Sequence, residues 1–265
     1  ARAADRKESA VRIVVLGATG NVGTAVLRRL HAAPGVTEVV GVSRHGPERS
    51  GAPYDGVQWH RLDVADKECV APLAEVLRGA DAVVHLVWLI RPNRDRAVMH
   101  RTNVDGLVHV LDAVALAGVP HVVYPSSLGA YAPGPKDRPV DESWPLGGVE
   151  TSHYNVQKAE TETILDRFEA AHPQVLVTRL RPGFLFQAAA GPEIHDYFFG
   201  PLVPRWLVAR LRLVQTMNMQ EGAARCTQLV LEAGRFGHLT GASCAPAPIS
   251  GWREDEQSRG RLVLA

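Results

Sequence analysis

The chain has 265 residues, of which 46% are hydrophobic and 22% charged, and its formal net charge is +1. These values are typical of a globular domain and give no argument for nucleic acid, because the arginines are scattered and form no basic face. The longest apolar run, residues 83–90, is too short to span a bilayer, so no membrane partner is expected. Three distant cysteines (Cys69, Cys226 and Cys244) have no metal-binding spacing, which favours a cytoplasmic protein without a metal site.

Strands and helices are predicted to alternate from residue 11 onward. Continuous apolar runs that end in glycine or polar residues are typical of strands buried on both faces of a parallel sheet. Six strands are predicted at 11–17, 37–44, 57–64, 81–88, 121–127 and 173–182. Helices are predicted at 21–33, 68–80, 95–117 and from 153 to about 171. This alternation predicts an α/β fold with a doubly wound parallel sheet.

Beyond residue 183 the pattern becomes less regular. Helices are predicted at 202–214 and 221–234, and the stretch at 198–206 suits either a pocket lining or a small core. We therefore predict a nucleotide-binding domain with the catalytic residues at 11–187, a small C-terminal substrate-binding lobe at 188–242 and a weakly ordered tail at 243–265.

The turn after the first strand has the sequence "GATGNVG", with Gly17, Gly20 and Gly23. Without side chains the backbone can turn tightly and approach a pyrophosphate, and the N-terminus of the following helix offers N–H groups and a partial positive charge. Because a strand precedes the glycines and a helix follows them, the sequence predicts a dinucleotide site.

The ends of the second and third strands bear on which dinucleotide binds. Ser43 and Arg44 stand where an NAD site usually has a carboxylate, and the next acidic residue is Glu48. An arginine there can pair with a 2′-phosphate, which favours NADP over NAD. Asp63 is predicted either to accept the adenine amino group or to cap the next helix, and the two roles are compatible.

Two functional side chains lie four residues apart on the last predicted helix of the domain. Tyr154 and Lys158 therefore share one helix face, and an ammonium beside a phenol favours its ionised form. Ser127 ends the fifth strand at the carboxyl edge of the sheet, where open α/β folds bind ligands. Asn103 is a polar residue in a helix that otherwise packs on the sheet, and it could hold a water for a proton relay.

Eight segments occur in order across residues 11–187: "GATGNVG", "LDVAD", "HLVW", "TNVDGLVHVLDA", "YPSSLGAY", "VDESWP", "YNVQK" and "RLRPGFLFQ". Together they resemble the extended short-chain dehydrogenases/reductases, specifically the NAD-dependent epimerase/dehydratase family. The resemblance implies a Rossmann fold with Ser127, Tyr154 and Lys158 as a catalytic triad, which Asn103 completes to a tetrad. Tyr154 would be the acid/base, Lys158 would also hold the nicotinamide ribose, and Ser127 would orient the substrate.

The resemblance also implies residues that line the cofactor. Beyond the residues already named, they are Asn21, Val22, Val64, Leu86, Val87 and Pro182. Departures from the family pattern are Asn155 and Gln157 beside the catalytic pair, and Trp88 where smaller residues are common. Leu128 and Gly129 stand where a dehydratase would carry carboxylates, which disfavours that chemistry.

The implied activity is hydride transfer between NADP(H), or alternatively NAD(H), and a secondary alcohol or carbonyl of a small molecule, with a nucleotide sugar as one candidate. The sequence leaves reductase and epimerase chemistry both open. A protein that binds NAD(P) and has lost catalysis, such as a sensor, is the alternative. Relatives often pair two helices into a dimer interface, so the resemblance also implies a homodimer.

Overall fold

The computed structural model describes residues 11–90, 95–135, 137–138, 140–186 and 216–218. Six parallel strands form one sheet in the order β3-β2-β1-β4-β5-β6. They are β1 Val11–Leu16, β2 Val36–Ser43, β3 Gln58–Arg61, β4 Ala82–His85, β5 His121–Pro125 and β6 Leu176–Leu180. The helices are α1 Asn21–His31, α2 Val70–Leu77, α3 Arg96–His100, α4 Gly106–Ala117 and α5 His153–Ala171. The predicted Rossmann-type doubly wound sheet is confirmed.

The central strands of the sheet are buried on both faces, as their apolar sequences require. In β1, residues Ile13 to Leu16 are fully buried and alternate between the two faces. One face packs against α1, and the other packs against α2, α4 and α5. The strand order reverses between β1 and β4, and open α/β sheets bind ligands at the carboxyl ends of the strands beside such a point.

Two predicted helices differ from the observed ones. The helix predicted at 95–117 is divided, because a π-helical segment, Arg101–Asp105, separates α3 from α4. The helix predicted at 68–80 begins as a 3-10 turn, Lys67–Cys69, and α2 ends at Leu77. A short parallel pair, β7 Phe184–Phe186 with β8 Thr216–Asn218, was not predicted.

Several predictions fall on residues that the structure does not describe. They are the helices at 202–214 and 221–234, the stretch at 198–206, the tail at 243–265 and all of the lobe at 188–242 except 216–218. Within the described ranges, no helix has the length and apolar character needed to cross a bilayer.

Candidate functional site

The turn after β1 brings the three predicted glycines together at the start of α1. Gly17 has φ +80°, which side chains rarely adopt, and a Cβ there would lie 3.0 Å from backbone atoms of Leu86 and Val87. A Cβ on Gly23 would overlap the carbonyl oxygen of Gly17. Gly20 is the N-cap of α1 and supplies no side-chain hydrogen bond to the helix. The turn thus has no side chains at its three glycines and leads directly into the N-terminus of α1, an arrangement that suits a phosphate group.

The remaining predicted residues of this turn and of β2 lie close by. Asn21 and Val22 are the first two residues of α1. The Ser43 hydroxyl accepts a hydrogen bond from the Gly46 N–H at 3.0 Å. Arg44 follows directly and is exposed at the carboxyl end of β2.

Asp63 follows β3 and closes its own turn. One of its carboxylate oxygens accepts a hydrogen bond from the Ala65 N–H at 3.0 Å, and the residue is exposed. The cap of the following 3-10 turn is Asp66, so the prediction that Asp63 caps this segment is wrong. Val64 is buried, and its carbonyl oxygen accepts a hydrogen bond from His109 Nδ1 at 2.7 Å.

The predicted tyrosine and lysine lie together on α5. The helix begins after Ser152, whose hydroxyl accepts a hydrogen bond from the Asn155 N–H. The Lys158 Nζ lies 6.0 Å from the centroid of the Tyr154 ring, as expected for positions one turn apart. Tyr154 also meets the Trp88 indole edge-to-face, with ring centroids 5.6 Å apart.

The Lys158 ammonium makes its direct contacts with neutral groups. It donates to the Pro125 carbonyl oxygen at 2.9 Å and to the Tyr124 hydroxyl at 3.4 Å, and it lies 3.6 Å from the centroid of the Trp88 ring. Tyr124 in turn donates its hydroxyl proton to Thr161 at 3.0 Å. Only 3% of Lys158 is exposed, and this burial lowers its pKa to about 7. The charge of Lys158 is therefore labile near neutral pH.

Ser127 caps a 3-10 turn, Leu128–Ala130, next to the start of α5. Its hydroxyl oxygen accepts the Gly129 N–H at 3.1 Å, and its own proton remains able to donate to a ligand. The Leu128 N–H donates to the Pro182 carbonyl oxygen at 3.1 Å, which joins the predicted Pro182 to the same turn. A Cβ on Gly129 would lie 2.7 Å from Asn155 Oδ1, so a larger residue fits poorly there.

Asn103 lies in the π-helical segment and is fully buried. Its amide oxygen accepts the Leu89 N–H at 2.6 Å, and its amide nitrogen donates to the Leu89 carbonyl oxygen at 3.0 Å and to Gln157 Oε1 at 2.9 Å. Both amide protons are thus used by the protein. The side chain fixes the backbone that follows β4, directly after Trp88.

A buried ion cluster behind Lys158 was missed in the sequence. Glu162, one turn after Lys158, is fully buried, and its oxygens accept from Arg181 at 2.8 and 2.9 Å and from Arg179 at 3.0 Å. Burial alone would raise the pKa of Glu162, but the hydrogen bonds from these arginines outweigh it and lower the pKa. Arg179 also pairs with Asp166 and Glu169. The i, i+4 spacing of Glu162 from Lys158 was the signal that could have revealed this cluster.

His85 ends β4 beneath the candidate site. It is 1% exposed and stacks on Tyr124, with ring centroids 5.8 Å apart. Burial, together with the charge of Lys158, lowers the pKa of His85 to about 3, so the ring is neutral. Within the described residues neither its ring nitrogens nor Trp88 Nε1 has a hydrogen-bond partner. Unpartnered buried polar atoms at this edge are typical of a site that receives water or a polar ligand.

These features form one continuous edge. Tyr154, Lys158 and Ser127 gather beyond the carboxyl ends of β4 and β5, and Leu86 and Val87 connect them to the glycine turn. Arg44 and Asp63 lie at the ends of β2 and β3, on the other side of β1. The glycine turn, together with the unpartnered polar atoms of His85 and Trp88, fits a dinucleotide bound along this edge.

Comparison with known proteins identifies the family. Residues 13–196 match the NAD dependent epimerase/dehydratase family. Over 187 residues the chain is 29% identical to an NAD-dependent glucose-6-phosphate dehydrogenase of Haloferax volcanii, covering 66% of this chain and 69% of that protein. It is 33% identical over 117 residues to an uncharacterized protein of Mycobacterium tuberculosis, covering 44% of this chain and 12% of that one.

Solved structures share the fold. A UDP-N-acetylglucosamine 4-epimerase from Methanobrevibacter ruminantium M1, in complex with UDP-N-acetylmuramic acid, has a TM-score of 0.66 at 19% identity, covering 84% of this chain and 73% of that one. A UDP-glucose-4-epimerase from Stenotrophomonas maltophila, with bound NAD and formylated UDP-arabinopyranose, has a TM-score of 0.64 at 19% identity and covers 85% of this chain and 75% of that one.

Proposed function

The chain belongs to the NAD-dependent epimerase/dehydratase family, and from that premise we propose that it is an NAD(P)-dependent oxidoreductase or epimerase. The reaction is hydride transfer at a secondary alcohol or carbonyl of a small molecule. The observation that carries this proposal is the meeting of Tyr154 and Lys158 at the carboxyl edge of the sheet, with Ser127 and the glycine turn beside them.

Tyr154 exchanges a proton with the substrate oxygen. When Lys158 is protonated, its charge favours the ionised form of the Tyr154 phenol. The pKa of Lys158 is about 7, so the lysine is mostly protonated below neutral pH. The Ser127 hydroxyl donates to the same substrate oxygen and orients it. The nicotinamide, when bound, supplies or accepts the hydride. Asn103 acts by fixing the backbone at Leu89. Both of its amide protons are already donated within the protein, so a water in a proton relay would have to be held by another residue.

The nucleotide half lies along the glycine turn. The backbone of Gly20, Asn21 and Val22 would hold the pyrophosphate, and the Asp63 carboxylate would accept a hydrogen bond from the adenine amino group. A preference for NADP over NAD rests on Arg44, which is exposed at the end of β2 with no carboxylate before Glu48. Arg44→Ala should weaken NADP⁺ binding and leave NAD⁺ binding unchanged.

The substrate class and assembly follow from the same premise. Several relatives are named UDP-glucose 4-epimerase, and a sugar nucleotide is therefore our first candidate substrate. A homodimer through α4 and α5 is supported by three apolar residues that those helices expose, Val108, Leu116 and Val156. Sedimentation velocity of the wild type and a Leu116→Arg variant tests this assembly.

Thermal unfolding with added ligands tests the proposal. A ligand at 100 times its Kd stabilises a protein by about 2.7 kcal/mol, and this stabilisation grows with the logarithm of [L]/Kd. NAD⁺ and NADP⁺ at equal concentration should therefore each raise the melting temperature, and the cofactor that binds more tightly should raise it more. A further rise with a UDP-sugar would support the substrate class. Tyr154→Phe should retain the cofactor shift and lose turnover, because it removes only the proton-transferring oxygen. Absence of any shift with either cofactor would refute the proposal.

A protein that binds NAD(P) without catalysis is the second candidate. The observation that favours it is the Trp88 indole on the Lys158 ammonium, since it covers the group that should assist the tyrosine. Cofactor binding without turnover by the wild type, tested across sugar nucleotides and simple carbonyl compounds, would favour this candidate.

A further inference from the structure

Trp88 stands between the two residues that the proposed chemistry needs. One face of its indole lies 3.6 Å from the Lys158 Nζ, and it meets the Tyr154 ring edge-to-face. A cation on an aromatic face is attracted by the ring, so this is a favourable contact.

The indole lies where the third N–H group of the Lys158 ammonium would otherwise donate a hydrogen bond. An ammonium has three N–H groups, and Lys158 directs two of them to the Pro125 carbonyl oxygen and the Tyr124 hydroxyl. The third direction meets the Trp88 face, and only 3% of the residue is exposed. Any ligand oxygen that binds this ammonium must therefore replace the indole.

Hydrogen bonds hold the backbone next to Trp88 but not its side chain. Asn103 holds both the N–H and the carbonyl of Leu89, and Gln157 holds Asn103 in turn. The indole itself has no such anchor, since Trp88 Nε1 lacks a hydrogen-bond partner among the described residues. Rotation of one side chain is thus enough to uncover Lys158.

We propose that Trp88 is a gate over Lys158, opened by a ligand that places a hydroxyl oxygen on the ammonium in exchange for the indole. A ribose is the chemical group that fits, because one of its hydroxyls can accept the third N–H of the ammonium, where the aromatic ring offers only its face. The identification of the ribose rests on the proposed function, and the cover over Lys158 rests on the geometry alone.

The cover is tested without any nucleotide. Trace acetylation with acetic anhydride across a pH series gives the intrinsic reaction rate of each lysine, separate from its protonation. Mass spectrometry then compares Lys158 with Lys67, which is exposed in the same chain. We expect Lys158 to be strongly protected in the wild type and to approach the Lys67 rate in Trp88→Ala. Trp88→Phe, which keeps part of the aromatic face and preserves folding more readily, should give an intermediate rate.

Titration calorimetry with two nucleotides tests the opening group. ADP-ribose carries the terminal ribose, and ADP ends at the pyrophosphate. Loss of one cation–π contact corresponds to a roughly 2- to 30-fold tighter Kd for ADP-ribose in Trp88→Ala, whereas the Kd of ADP should stay the same.

The outcomes separate the two proposals. An unchanged Lys158 rate in both Trp88 variants overturns the gate, whatever the nucleotides do. An equal change for ADP-ribose and ADP overturns the ribose as the opening group. If neither nucleotide binds any variant and the Lys158 rate still rises, the proposed function fails while the cover over Lys158 is supported.

Discussion

Replacement of Lys158 by methionine should stabilise the protein, by an amount that depends on pH. Burial lowers the pKa of this lysine from 10.5 to about 7. Between these values the unfolded chain holds a proton that the folded chain has released, so the free energy of unfolding rises with pH. The cost of the buried lysine is fully present below the folded pKa and disappears above the unfolded one.

The magnitude follows from the size of the shift. Each pKa unit corresponds to about 1.4 kcal/mol, so the lysine costs about 4 kcal/mol at pH 7 and about 2 kcal/mol at pH 9. Methionine removes this cost and keeps much of the side-chain volume. Glu162 keeps both of its arginine partners, so the substitution leaves no buried carboxylate unpaired.

Urea unfolding at several pH values measures the difference between Lys158→Met and the wild type. The advantage of the variant should fall by about 2 kcal/mol in total between pH 7 and pH 9, because other titrating groups cancel in the difference. The matched control is Lys67→Met, since Lys67 is exposed and should give a difference that does not vary with pH. A constant advantage of Lys158→Met over this range would refute the argument that burial governs the lysine charge.

Three further substitutions test the structure around the site. Glu162→Gln should lower the free energy of unfolding by about 3–5 kcal/mol, because it removes the buried carboxylate that pairs with the partly buried Arg181 and Arg179, and chemical denaturation measures this. Gly23→Ala should abolish the thermal shift caused by NAD⁺ or NADP⁺, since its Cβ would overlap the turn. Asn103→Leu should cost about 1–3 kcal/mol for each unpaired backbone group of Leu89, as urea unfolding would record.

Controls and contrary results differ among these three. Asp166→Asn removes an exposed partner of Arg179 and should cost less than about 1 kcal/mol; an equal loss in Glu162→Gln would contradict the role of burial. A Gly23→Ala protein that still responds fully to both cofactors would place the phosphates elsewhere. If Asn103→Leu were as stable as the wild type, water would be making the hydrogen bonds to the Leu89 backbone that the amide makes in the wild type.

The sequence predicted the sheet well because its central strands are buried on both faces. Continuous apolar runs such as β1 and β4 are hard to place anywhere else, and alternation with helices implies parallel order. The helix at 95–117 shows the limit of this reasoning, because a periodic apolar pattern does not reveal a π-helical insertion at Arg101–Asp105. The pairing of β7 with β8 joins segments thirty residues apart, which no local pattern encodes.

The site was predictable where chemistry follows local spacing. Tyr154 and Lys158 were found by their separation on a helix, and Ser127 by its place at a strand end. Trp88 was noted only as bulky, because its contact with Lys158 joins the segment after β4 to α5 and depends on the packed fold. Glu162 was missed since its arginine partners lie on β6 and directly after it.

The geometry explains why this arginine-rich chain, with only four lysines, has a lysine at position 158. One turn along α5, Glu162 is paired with two arginines and keeps its charge. Among the described residues, Lys158 has direct contacts with a carbonyl, a hydroxyl and aromatic rings, so burial lowers its pKa and its charge can change near neutral pH. An arginine in the same enclosure would stay protonated at any physiological pH and could not respond in this way. The same helix thus separates a permanent ion cluster from a labile cation, and the labile cation is the one beside Tyr154.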